Sequence, residues 1–197
     1  MKRLGHTGFL LLAFAGFVLL GSPEGALSQN TNSLSLSAYG GMSNDPGGFD
    51  VFRESDFDAG FLFGGSLGMR LAPNIAVRGD VAFSRSDGFE GGVVNEDVEF
   101  DRRYYGFGLE ARFPLETITP YLLGGGGFVT VHRKAPALTY EFTELAGRAG
   151  LGVAYPFAGA PIEAFAEASQ WFYPRATTGE GLQWDTNVSI GLSFIPF

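Results

Sequence analysis

Cysteine is absent from all 197 residues. That excludes a disulfide scaffold, a thiolate zinc site, a thiol nucleophile and a lipidated N-terminal cysteine. Lysine occurs only at Lys2 and Lys134, and charged residues make up just 17% of the chain. With so little charge and 45% hydrophobic residues, the composition is not that of a disordered chain. Acidic side chains outnumber basic ones 21 to 13, so nucleic acid is not expected as a partner. Beyond residue 28 no apolar run approaches the ~20 residues that a spanning helix needs. What is present is 30 glycines and 20 phenylalanines. Glycine at that density disfavours long helices and, with Phe, Val and Tyr, suits strands and tight turns.

Met1-Lys2-Arg3 opens the chain with positive charge, and Phe9 to Leu20 is an unbroken stretch of apolar or glycine residues. A small-residue exit, Ala26-Leu27-Ser28, follows Pro23. This is the three-part layout of a secretory signal peptide, expected to span residues 1–28 and to be cleaved after Ser28. The remaining residues, 29–197, form the single expected domain. A second entry into a membrane would have to be made by strands.

Period-two alternation marks eight segments: Ser33–Met42, Gly60–Leu71, Asn74–Arg85, Glu99–Phe113, Thr119–His132, Tyr140–Tyr155, Ile162–Tyr173 and Leu182–Phe197. In the third, Ile75, Val77, Gly79, Val81 and Phe83 share one face, opposite Arg78 and Asp80. In the fourth, Tyr105, Phe107, Leu109, Ala111 and Phe113 oppose Tyr104, Glu110 and Arg112. The apolar face of the fifth reads Tyr121, Leu123, Val129 and Val131. Connections alternate in length. Proline-bearing turns at 72–73, 114–117 and 156–161 intervene between long polar segments at 43–59 and 86–98 and shorter ones at 133–139 and 174–181. That rhythm fits an all-β, eight-stranded antiparallel up-and-down barrel with short turns at one end and longer loops at the other.

In a membrane barrel the apolar face points out to lipid and the polar face inward; a soluble lipocalin-like barrel would exchange the two. The polar parity carries charges of both signs, and eight strands leave an interior just wide enough for side chains. Arg78, Asp80, Glu110, Arg148 and Glu167 are therefore expected as a structural charge network in the lumen, with Arg148 and Glu167 paired across the 156–161 turn. Leu109, Val81 and Leu151 are expected at mid-membrane, so Leu151→Arg should impair assembly more than Gly152→Ser on the other face. Phe61, Phe113, Tyr155, Phe172, Trp184 and Phe194 supply two aromatic girdles.

The signal peptide, strand count, loop alternation and terminal Ser193-Phe194-Ile195-Pro196-Phe197 resemble the family of small eight-stranded outer-membrane β-barrels, the OmpA/OmpX-like transmembrane domain. The resemblance implies location in the outer membrane of a Gram-negative-type bacterium and contact with its lipids. It also implies recognition of Phe197 by the barrel-assembly machinery, and a monomer. Parity switches between Phe194 and Ile195, for which a bulge near Pro196 would account.

No catalytic, metal or cofactor residue is assigned. His132 is expected on the inward parity opposite Tyr140, near Glu144, Ser84 and Ser86, but no motif joins them into a general base with its partner. Gly124 to Gly127 lacks the Lys-Ser/Thr of a phosphate loop. The first two long loops hold Asp45, Asp50, Glu54, Asp56, Asp58, Asp87, Glu90, Glu96 and Asp97 without regular cation-ligand spacing. The expected role is structural, or one of surface interaction through the outer loops. The alternatives are a lipid-modifying enzyme centred on His132 and a narrow channel.

Overall fold

A computed structural model of the chain describes residues 33–44, 55–57, 59–90, 96–134, 139–174 and 182–196. The expected signal peptide, Phe197 and much of the first long loop lie outside them. The described residues form nine strands and no helix: β1 (Leu34–Asn44), β2 (Ser55–Phe57), β3 (Gly60–Ala72), β4 (Ile75–Glu90), β5 (Glu96–Arg112), β6 (Thr119–Lys134), β7 (Tyr140–Pro156), β8 (Ile162–Pro174) and β9 (Leu182–Phe194). All pairings are antiparallel. Eight strands close a ring, because β4 pairs with β5 and β1 pairs with β9. At the β1–β9 seam Leu36 lies opposite Phe194 and Asn44 opposite Thr186. Inside the seam the hydroxyls of Ser37 and Ser193 are hydrogen-bonded.

The turns at the lower end follow from local chemistry. Pro73-Asn74 links β3 to β4 after an irregularity between Arg70 and Ala72. Between β5 and β6 the Phe113 amide donates to the Pro120 carbonyl (2.8 Å) and the Leu115 amide to that of Ile118 (2.9 Å). Between β7 and β8 the Phe157 amide donates to the Ile162 carbonyl (3.0 Å), and Gly159 has a φ of 76° that a side chain would strain. At the upper end β4 and β5 continue as a two-stranded ribbon to the pairing of Glu90 with Glu96. β2 adds along the β4 edge of this ribbon, with Asp56 opposite Phe89. Residues expected as loop, 86–90 and 96–98, are thus strand. The sequence shows this only weakly, since a ribbon outside the membrane has no need of a continuous apolar face.

The outer surface is apolar. Phe61, Phe107, Leu151 and Ile190 are each more than 60% exposed on the isolated chain, which is the signature of a wall meant for lipid. Phe61, Phe172 and Trp184 stand at the upper strand ends, with Phe172 and Trp184 in ring contact (5.6 Å). Phe113, Tyr155 and Phe194 stand at the lower ends.

One strand runs against expectation. On β6 it is Tyr121, Leu123, Val129 and Val131 that point into the lumen, all at most 4% exposed, while Leu122, Gly124, Gly126 and Phe128 face out. Both parities of this strand are largely nonpolar, so alternation alone does not choose between them. The lumen decides: Val129 and Val131 pack with Tyr104 and Trp171 to fill the upper interior, and Tyr121 packs with Phe165 below. Gly152 also differs from expectation. A Cβ there would lie 2.4 Å from Cζ of Tyr121 and 2.7 Å from the Ala166 carbonyl oxygen, so serine is not a benign change at that position. β9 ends at Phe194, and the Ile195 amide donates to the Pro161 carbonyl (2.8 Å); Ile195 lines the lower lumen in phase with Ser193, so the alternation runs on to that residue without the expected bulge, its apolar side chain facing inward.

Candidate functional site: the filled lumen and the outer rim

Alternation on β4, β7 and β8 sends Arg78, Asp80, Arg148 and Glu167 to one level of the interior, each at most 7% exposed. They form a ring of alternating sign. Arg78 Nη2 lies 2.7 Å from Asp80 Oδ1, and Asp80 Oδ2 lies 2.7 Å from Arg148 Nη1. Arg148 Nη2 donates to Glu167 Oε1 (2.6 Å), and Arg78 Nη1 donates to Glu167 Oε2 (2.6 Å). The four charges cancel. Tyr121 donates to Glu167 (3.1 Å), and the Arg148 guanidinium lies over the Trp171 ring (5.2 Å from its centroid). Glu110 sits one level lower, 3.5 Å from both Arg78 and Arg112, and Arg112 donates to Glu163 (2.8 Å). Charges this deep are tolerable only when paired in this manner.

A second polar layer lies above. Asp185, fully buried, accepts from Tyr104 (2.8 Å) and Tyr173 (3.0 Å) through Oδ2, with Arg102 Nε at 3.6 Å. Arg102 in turn donates to Ser86 (2.9 Å). Hydrogen bonds to a buried carboxylate contribute about 1.5–3 kcal/mol each. Tyr173→Phe should therefore lower the unfolding free energy by that amount, read as a reduced urea midpoint at unchanged slope. A midpoint equal to wild type would show that this layer is already satisfied without Tyr173.

Between these layers and the turns, the lower lumen keeps a cavity of about 40 Å³, lined by Ser37, Ser66, Arg78, Glu110, Arg112 and Tyr121 among others. That is room for a few waters.

His132 does not belong to the lumen. Its neighbours Val131 and Arg133 point inward, so His132 faces outward at the upper rim, opposite Glu141 rather than Tyr140. Its Nδ1 lies 4.0 Å from Glu141 Oε2. Ser84 and Ser86 are buried inside, and Glu144 shares the inward parity of Ala146 and Arg148. The wall therefore separates His132 from the groups the sequence suggested as its partners. The same β6 parity that misplaces Val129 misplaces His132.

The outward rim carries a further set of charges. Lys134 donates to Glu99 (2.8 Å) and Asp101 (2.6 Å), and Arg85 donates to Glu99. Glu99 lies on the part of β5 that projects above the apolar wall, and the Lys134 hydrogen bond holds its carboxyl below the usual carboxylate range. No alternation signal marks these residues, because apolar and charged side chains share the outward parity once the strand leaves the hydrocarbon.

A closed antiparallel wall, apolar outside and ion-paired within, defines an integral outer-membrane β-barrel. The chain belongs to the outer membrane protein beta-barrel domain family, whose pattern it matches over residues 11–193. Among solved structures it is similar to Neisserial surface protein A, at 13% identity and a TM-score of 0.57, covering 82% of this chain and 96% of that one. It is also similar to Ail of Yersinia pestis (16% identity, TM-score 0.47, covering 83% and 97%). The N-terminal β-barrel domain of Pseudomonas aeruginosa OprF gives 20% identity, a TM-score of 0.43 and coverage of 84% and 100%. At 13% identity the likeness to Neisserial surface protein A is one of fold. No curated protein matches in sequence.

Proposed function

We propose that this outer-membrane barrel serves as a structural wall element whose outward ribbon and loops make surface interactions, and that it acts as a monomer. The filled lumen carries this reading. Two ion-paired layers and the packed Tyr104–Val129–Trp171 cluster obstruct the barrel, and the cavity beneath them is too small to conduct hydrated ions. Among the described residues the β4–β5 ribbon, with β2 at its edge, continues beyond the pairing of the neighbouring barrel strands, and the long segments 43–59 and 86–98 are rich in acidic residues.

The purified wild-type monomer should show little or no conductance in planar bilayers; a stable porin-sized conductance would move the function to transport. The interactive role is tested in cells. A strain whose barrel has residues 45–54 and 91–95 replaced by short Gly-Ser turns should reproduce the phenotype of a null strain while the trimmed barrel keeps its heat-dependent shift on a detergent gel. Full rescue by the trimmed barrel would place the function in the wall. A lipid-modifying role for His132 has weaker support: the carboxylate across the rim, Glu141, lies 4.0 Å from its Nδ1, beyond hydrogen-bond reach.

A further inference from the structure

The upper polar layer is saturated on one side only. Asp185 accepts both tyrosine hydroxyls, from Tyr104 and Tyr173, on Oδ2, and Arg102 approaches the same oxygen. Its other oxygen, Oδ1, has no hydrogen-bond partner among the described residues, although Asp185 is wholly buried. The two oxygens of a carboxylate are chemically equivalent and share its charge. Three donors on one and none on the other leave half of a buried anion without compensation, which is costly unless Oδ1 has a partner of its own.

Asn187 repeats the pattern. It lies two residues closer to the lower end of β9 on the same inward face, is 4% exposed, and its Oδ1 likewise has no hydrogen-bond partner among the described residues. Side chains at that spacing leave the strand about 7 Å apart, so that one ion can sit between their oxygens. Two buried serines flank Asn187: Ser43 opposite it across the β1–β9 seam, and Ser169 opposite it on β8. Neither hydroxyl donates to the Asn187 side-chain carbonyl. A carboxylate oxygen, an amide oxygen and two hydroxyl oxygens therefore share one patch of the lumen wall.

We propose that this patch is a binding site for a monovalent alkali cation, with Asp185 Oδ1 and Asn187 Oδ1 as its principal ligands and the hydroxyls of Ser43 and Ser169 completing the set. The donor chemistry selects the ion. Oxygen ligands favour hard cations over transition metals. The set holds a single carboxylate, and Arg102 already takes part of its charge, so a divalent ion would be left under-compensated in a buried site. Because Ser43 belongs to β1 and Ser169 to β8, the ion bridges three strands and braces the β1–β9 seam from within.

The test is urea unfolding of the full barrel in lipid vesicles at one ionic strength, supplied by sodium, potassium or choline chloride. Choline, with its bulky quaternary ammonium, serves as the inert cation. An ion that binds only the folded barrel raises the folding constant by one plus the ratio of its concentration to its Kd. At about ten times Kd, wild type should thus have a folding constant about tenfold higher in an alkali chloride than in choline chloride. Asp185→Asn and Asn187→Ala should remove the difference, and Ser169→Ala should shrink it. Alanine deletes the Asn187 oxygen without adding volume, so that variant carries the test if Asp185→Asn fails to fold. Equal midpoints for wild type in the three salts overturn the proposal, since water then serves both oxygens. A wild-type response in Asn187→Ala overturns it as well, because the salt then acts elsewhere. So does a larger stabilisation by millimolar calcium chloride than by about a hundredfold more sodium, which would define a divalent site.

Discussion

Replacing Arg148 with alanine is expected to lower the unfolding free energy of the barrel by about 3–5 kcal/mol, the usual cost of leaving a buried charge without its partner. Arg148 is 2.7 Å from Asp80 and 2.6 Å from Glu167, so its removal leaves two buried carboxylates to share the single charge of Arg78. Arg78 cannot fully replace it, since Arg78 already engages both acids from the other side of the ring. The effect should be strongly non-additive. Arg148→Met combined with Glu167→Gln leaves the neutral pair Arg78–Asp80 and should cost less than Arg148→Ala alone, because a balanced removal creates no unpaired charge. Urea unfolding in lipid vesicles, followed by the loss of the heat-dependent gel shift, measures both. A loss below about 1 kcal/mol for Arg148→Ala would mean that water reaches the ring.

Leu151→Arg is the second large effect, at about 2–4 kcal/mol for a cation in the lipid-facing middle of the wall. Leu151 is 62% exposed and lies between Leu122 and Ala168 on the neighbouring strands, with no acidic group beside it on that face. Thr130→Arg is the proper comparison. Thr130 faces outward near the upper rim, hydrogen-bonded to Thr143 (2.9 Å), where depth alone lowers the cost to about 0–1 kcal/mol, to which the like charge of Arg103 directly opposite adds a little. Folding yield into vesicles should follow the same order. Equal yields would contradict the outward assignment of Leu151. Gly152 is unsuitable as a tolerant control, for the reason that Tyr121 occupies the space a side chain would need.

The wall was legible in the sequence wherever one parity was clearly polar. On β4, Val77 and Val81 against Arg78 and Asp80 leave one choice of face; Arg148 and Glu167 share the inward face of β7 and β8, but they lie four residues apart in register, Arg148 opposite Trp171 and Glu167 opposite Gly152, and meet through the length of their side chains. The pairing of Arg78 with Glu167 was not legible. These residues lie on β4 and β8, which are not neighbours, and meet only across the closed lumen. β6 was misread because the barrel interior is not uniformly polar: it takes Val129 and Val131 beside Tyr104, so apolarity there reports packing and not lipid contact.

The β1–β9 seam has a kinetic meaning. Most pairings join strands adjacent in the chain and can form as soon as one hairpin emerges, whereas Leu36 meets Phe194 only after nearly the whole chain has been made. The entropy of closing a loop grows only as the logarithm of its length, yet it must be lost before the seam returns any hydrogen bonds. Until then β1 and β9 each present an open edge of unpaired amides and carbonyls, which hydrocarbon does not tolerate and which invites pairing with another chain. Closure of this one junction is therefore the step most exposed to error, and the point at which a helper that holds a strand edge would gain the most.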